Sequence, residues 1–258
     1  MKIKANYLIL KITAIITMII GDLSYLLIHR LNDSWIMVMT AIGNLSFPLF
    51  AFILTETFLK QSDKNNKSKN YKYKLIMLLL LALISEIPFN VFLSGSIRYP
   101  LKNNVCFTLF SGFLMLILLD KDYYGFFFNY YKDKKVRLGF KKYSKKKSRR
   151  FNFYVKTIII SGFMLGNYLI ANDYSYTGIL LIALFYLLRN KKKLRAVIPI
   201  IILILSEANI LYIPVLIDMI LIALYDNKRM NISKPVKYGL RIIYPVFISI
   251  MAVLSLIL

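Results

Sequence analysis

Thirty of the chain's 35 Lys and Arg residues fall in every second connection between its apolar segments, and this alternation constrains how the chain is threaded. The apolar runs lie at about 7–29, 35–59, 75–93, 104–119, 155–171, 174–188, 195–206, 209–225 and 239–258. Lys2 and Lys4 precede the first run. Six basic residues then fall in 60–74, twelve in 121–150, five in 189–195 and five in 228–241. The intervening connections hold only Arg30, Arg98 and Lys102, while Lys11 and Lys156 lie inside span ends. Loops rich in Lys and Arg stay on the cytoplasmic side of a membrane. The expected fold is therefore all-α: a polytopic transmembrane helix bundle of about nine spans, with a cytoplasmic N-terminus and the C-terminus outside.

Composition agrees with this reading. The chain has 258 residues, 58% of them hydrophobic, and a mean hydropathy of +0.60. Crossing a bilayer takes about 20 apolar residues, so nine spans consume most of the length. One integral membrane domain over 1–258 is expected, with no separate soluble catalytic domain. The net charge of +23 sits in the connections where insertion requires it, so nucleic acid is not an expected partner. The lipid bilayer is, and the basic run Lys132 to Arg150 adds attraction for anionic headgroups of about 1 kcal/mol per residue. The single Cys106 has no internal disulfide partner. The first run continues for more than 20 residues without a small-x-small cleavage site, which makes it a retained span.

Two apolar stretches must be divided. Residues 195–225 as one helix would reach about 45 Å at 1.5 Å per residue, too long for a tilted span. Ser206, Glu207 and Asn209 interrupt it, and a turn there preserves the charge rule; Asn172 and Asp173 divide 155–188 likewise. Tyr123 to Tyr131, nearly all aromatic, suits a membrane–water interface, so 120–152 reads as a basic cytoplasmic loop with an interfacial aromatic segment. Gly162 and Gly166 form a GxxxG pair, a signal for close helix approach.

Ionisable groups inside spans cost roughly 2.5–3.5 kcal/mol each on insertion scales, so they mark sites. Asp22, Glu56, Glu86 and Asp218 are the candidates, with Asn44 and Asn90 as weaker members. The threading places Asp22, Asn44, Glu86 and Asn90 in the outer half, with Asn103, Asn104, Asp173 and Glu207 at the outer edge, so an outward-facing pocket is expected. Glu56 is spaced to pair with Lys60 at i+4, and Asp218 is expected to pair with Lys11 or Arg241. Prolines 48, 88, 199, 214 and 245 fall within spans and kink them. No GxSxG, HExxH, Walker sequence or metal-ligand cluster is present, and the only histidine, His29, ends the first span.

Six blocks, in order, resemble the TraX family, membrane proteins named for acetylation of a conjugative pilin subunit. They are KITAIITMII with Asp22, IGNLSFPLFAFILTETFL at 42–59, ALISEIPFNVFL at 82–93, NVCFTLFSGFL at 104–114, NDYSYTGILLIALFYLLRN at 172–190 and KYGLRIIYPVF at 237–247. Glu86, Asn104, Asp173 and Tyr174 match the family pattern. That pattern has histidine where Asp22 and Phe247 stand, and arginine where Asn44 stands. The resemblance implies a bacterial plasma-membrane acyltransferase that passes acetyl from cytosolic acetyl-coenzyme A to an amine or hydroxyl of a peptide or glycan at the outer face. Asp22 or Glu86 would act as base, with Asn44, Asn90, Asn104, Asp173 and Tyr174 holding the acceptor. Loss of the histidines points instead to an inactive relative, namely a partner subunit, a peptide exporter component or a bacteriocin immunity protein, while the retained carboxylates beside kinked helices favour the acyltransferase, the reading preferred here.

Overall fold

A computed structural model describes residues 6–62, 67–99, 101–127, 145–226 and 234–257. Among them the secondary structure is helical. The long elements are α1 (Tyr7–Leu26), α2 (Asp33–Gly43), α3 (Ser46–Ser62), α4 (Lys67–Ser94), α5 (Val105–Leu119), α6 (Lys145–Leu169), α7 (Ser175–Leu187), α8 (Lys192–Glu207), α9 (Leu216–Ala223) and α10 (Lys234–Ile257). A 3₁₀ turn, Ile210–Val215, leads into α9. The divisions expected near Glu207 and Asn172 are present: Ala208 is left-handed (φ 48°) after α8, and Ala171 (φ 54°) follows α6. Most of the expected aromatic segment and basic loop, residues 128–144, lies outside the described residues.

One apolar run departs from the single helix expected of it. Residues 35–59 break at Asn44 and Leu45, between α2 and α3. Pro48 consequently sits in the first turn of α3, where its missing N–H has no intrahelical acceptor to lose. It starts a helix here and kinks none. Pro88, Pro199 and Pro245 do lie inside helices, and Pro214 falls in the 3₁₀ turn.

The bundle is organised around α3. Its residues 46–56 are buried almost without interruption, as expected of a helix apolar on all sides. Phe47, Leu49, Phe52 and Phe58 pack against Leu10 and Ala14 of α1, Phe113 and Leu116 of α5, Ile179, Ile182 and Phe185 of α7, and Ile200 of α8. A second cluster joins α4 to α10 through Phe89, Phe92, Ile248 and Met251. The outward faces are aliphatic. Leu80, Leu83, Ile84 and Ile87 on α4, Ile158, Leu165 and Leu169 on α6, and Ile250, Val253 and Ile257 on α10 are all exposed. Such an apolar girdle is a lipid-facing surface. By length and composition Tyr7–Leu26, Asp33–Ser62 and Tyr71–Ser94 are long and apolar enough to cross a membrane, and Val105–Leu119, Ser175–Leu187, Ile210–Ala223 and Ile242–Ile257 are shorter apolar helices. This is a membrane protein.

Candidate functional site

The close contact of α1 with α2 begins the site. A Cβ on Gly43 would stand 2.6 Å from the Gly21 Cα, and one on Gly21 would stand 2.8 Å from the Gly43 Cα. Only glycine at both positions allows backbones this near. Ser24 Oγ lies 3.0 Å from Thr40 Oγ1 one turn away, adding a polar tie across the same interface. The next residues, Asp22 and Asn44, are thereby brought to one side. The GxxxG pair at Gly162 and Gly166 makes no such contact: an added Cβ at either would meet nothing within 4 Å. Its spacing matched a packing motif, but the α6 face carrying it is turned away from the bundle.

Asp22 and Asn44 line a cavity of about 710 Å³. Asp173, Tyr174, Lys102, Glu207, Tyr212 and Tyr244 face the same space, with Phe47, Phe50 and Phe89 supplying apolar wall. Asn44 is held there by donating to the Leu211 carbonyl at 3.1 Å. Asp22 is half-buried and makes no hydrogen bond among the described residues. The Lys102 ammonium sits 3.0 Å from an Asp173 oxygen.

The cavity rim at 171–175 is strained and heavily tethered. Ala171, Tyr174 and Ser175 all have positive φ (54°, 56° and 35°), a cost of order 1–3 kcal/mol each when non-glycine residues are held there. Asn103 secures the loop by donating its N–H to Ala171 O (2.9 Å) and accepting from Asp173 N–H (3.0 Å). Its side chain donates to Ile170 O at 2.7 Å. Asn172 donates to Asn167 at 2.7 Å, Ser111 donates to Asn167 at 2.8 Å, and Thr108 donates to the Asp173 carbonyl. Tyr174 lies flat on Phe47, with ring centroids 3.9 Å apart and planes at 9°. Beneath them a Cβ on Gly178 would come within 2.8 Å of both Phe47 and Thr108. A loop fixed this firmly presents Asp173 and Tyr174 to the cavity in one geometry.

The expected convergence of all the polar residues is only partial. Glu86, Asn90 and Asn104 are not among the cavity's lining residues. Glu86 accepts from Asn104 Nδ2 at 2.7 Å and from its backbone N–H at 3.2 Å. Asn104 also donates to Ala82 O (2.8 Å) and caps α5 by accepting from Cys106 N–H (2.9 Å). Together they staple α4 to the start of α5. Asn90 donates to the Ile97 carbonyl at 3.1 Å, closing the turn after α4. The apolar runs gave each residue's position along its helix, but not the side of the helix it occupies.

Other expectations resolve similarly. Glu56 pairs across the bundle with Arg195 (2.5 Å), and Lys60 donates to Tyr225 Oη at 2.9 Å. Asp218 is fully buried, with neither carboxylate oxygen hydrogen-bonded among the described residues, so the expected pairing with Lys11 is not formed. The Arg241 side chain lies outside those described. His29 is exposed at the end of α1, outside the cavity. No group of three or more His, Cys, Asp or Glu suited to a metal occurs among the described residues. Lys102, Tyr212 and Tyr244 were not singled out from sequence. Lys102 looked like a stray basic residue in an outer connection, and only the loop's fold sets it on Asp173.

The Asp173 carboxylate beside it holds the Lys102 ammonium above its ordinary value of 10.5. A raised folded value means stability fully present below pH 10.5 and lost as pH rises through the folded value. With the Lys102 side chain 48% exposed, the gain is no more than about 1 kcal/mol after solvent screening. Thermal unfolding in nanodiscs above pH 10.5 should show this alkaline loss in the native protein, and Lys102→Gln should remove it.

A second cavity, of about 230 Å³, lies further along the bundle and shares Met18, Phe50, Val105 and Tyr244 with the first. It is lined mainly by aliphatic residues and reaches Lys11, Gln61 and Lys74. The sequence model of the family described as TraX protein matches residues 7–255. No curated protein and no solved structure matches the chain.

Proposed function

The chain belongs to the TraX family over residues 7–255, and from that membership we propose a multi-pass acyltransferase of the bacterial plasma membrane. It takes acetyl from acetyl-coenzyme A at the cytoplasmic face and passes it to an amine or hydroxyl of a peptide or glycan at the outer face. The observation that carries this reading is the shared wall of the two cavities. Met18, Phe50, Val105 and Tyr244 line both, and in this proposal these four side chains part to give a narrow apolar passage from the Lys11–Lys74 end into the space lined by Asp22. An acyl thioester on a slender chain has the shape for such a passage.

In this proposal Asp22 removes a proton from the acceptor as its oxygen or nitrogen attacks the thioester carbonyl. The C–S bond then breaks, and the thiolate leaves and takes up the proton. Asn44, Asp173 and Tyr174 position the acceptor, while Glu86, Asn104 and Asn90 act from outside the cavity by fixing helices around it. Acetyl-coenzyme A should bind the purified protein calorimetrically at low salt, and the acetyl group should appear on an acceptor amine or as free acetate. Absence of binding favours the second reading, an inactive TraX relative serving as a partner subunit, exporter component or immunity protein. Asp22 and Phe247 standing in place of the family's histidines support that reading.

The orientation is the other part of the proposal: nine spans, N-terminus inside, C-terminus outside. Cysteines introduced at 62–70 or 134–148 should be labelled only from the cytoplasmic side, and one near 97 only from outside. Labelling of position 140 in intact cells would reverse the threading and the direction of transfer with it.

A further inference from the structure

The Lys/Arg-rich end of the bundle holds a third cavity, of about 310 Å³, between α3, the turn into α8 and the end of α9. Lys60, Arg189, Lys192 and Arg195 line it, against a single lining carboxylate, Glu56. Four cations facing one anion across a small space repel each other, so the arrangement favours an anion between them. Arg195 is more than nine-tenths buried, and its Nε has no hydrogen-bond partner among the described residues. A buried guanidinium N–H without an acceptor is costly, and an incoming oxyanion would satisfy it. The first turn of α8 adds to this. Its flanking residue Lys191 makes no side-chain cap, leaving the leading amides of a 16-residue helix for an acceptor at the dipole's positive end.

We propose that this pocket binds a phosphate group, together with part of the molecule that carries it. Arg195 and Lys192 hold the phosphate oxygens with the α8 amides. Arg189, anchored by its 3.2 Å bond to Tyr186 O and stacked over that ring, closes the rim. Glu56 keeps Arg195 in place. The site is separate from the passage described above. Phe52, Glu56, Leu59 and Lys60 face it from one side of α3, whereas Phe50, Ile53, Leu54, Thr57 and Gln61 face the passage. The proposal therefore does not depend on acetyl transfer. A phosphate here belongs either to a water-soluble phosphoryl compound or to an anionic lipid headgroup.

The test uses the full chain in phosphatidylcholine nanodiscs titrated calorimetrically with inorganic pyrophosphate, and native mass spectrometry after exchange into discs containing phosphatidylglycerol. Arg189→Gln and Lys192→Gln alter rim positions that do not hold the core, and each should weaken binding about tenfold, as loss of a charged hydrogen bond predicts. Lys191→Gln and Lys193→Gln remove the same charge beside the pocket without lining it, and should change nothing. Pyrophosphate heat with this pattern supports a soluble ligand. Retained phosphatidylglycerol with the same pattern, and no pyrophosphate heat, supports a headgroup. Binding of neither, or equal losses in the two pairs of variants, overturns the site.

Discussion

Gly43→Ala should unfold the site while much of the bundle remains, and Gly43→Val should prevent stable insertion altogether. The added methyl meets the Cα and N of Gly21 at 2.6 and 3.3 Å, both backbone atoms that cannot rotate aside. The helices must part, and overpacking of this kind costs about 1–3 kcal/mol or more. The separation also stretches the Ser24–Thr40 bond and moves Asp22 away from Asn44. Gly162→Ala and Gly166→Ala are the controls. Open space surrounds both, and alanine's better helix propensity, about 1 kcal/mol for each, should leave the protein as stable or more so. Thermal melting in nanodiscs separates the two pairs. Equal destabilisation would mean that α1 and α2 do not approach as described.

Asp22→Asn should abolish acetyl transfer while the melting temperature stays near that of the native protein. The exchange keeps the shape of a half-buried side chain that makes no hydrogen bond among the described residues, yet removes the proton acceptor. General-base catalysis typically contributes about 10²–10⁴-fold, and the single-turnover rate should fall by that factor. Glu86→Gln should do the opposite. It weakens acceptance of the two Asn104 N–H groups at 2.7 and 3.2 Å, costing about 1–3 kcal/mol of stability, with the transfer rate of the folded fraction little changed. A native rate in Asp22→Asn, or rate loss without destabilisation in Glu86→Gln, would remove Asp22 from the role proposed for it.

Apart from the break at Asn44 and Leu45, the helices, the polar residues within them and the family were legible in the residues alone. Hydropathy is a one-dimensional signal that reports how far along a helix a residue lies, so Asp22, Glu86 and Asn90 could be assigned a depth. The turns at Asn172 and Glu207 were equally legible, because polar residues cannot be spread through a continuous apolar span at no cost. Rotation about each helix axis, and the partners drawn from distant parts of the chain, came only with the packing of the folded bundle. Glu86 turns toward Asn104 while Asp22 turns toward the cavity. Glu56 reaches Arg195, on a helix far along the chain, and Lys102 meets Asp173 only because Asn103 ties their two loops together. The glycines illustrate the same limit. Spacing marked Gly162 and Gly166, yet the close approach falls at Gly21 and Gly43, one on each helix, since two backbones meeting in space leave no periodic trace in either sequence segment.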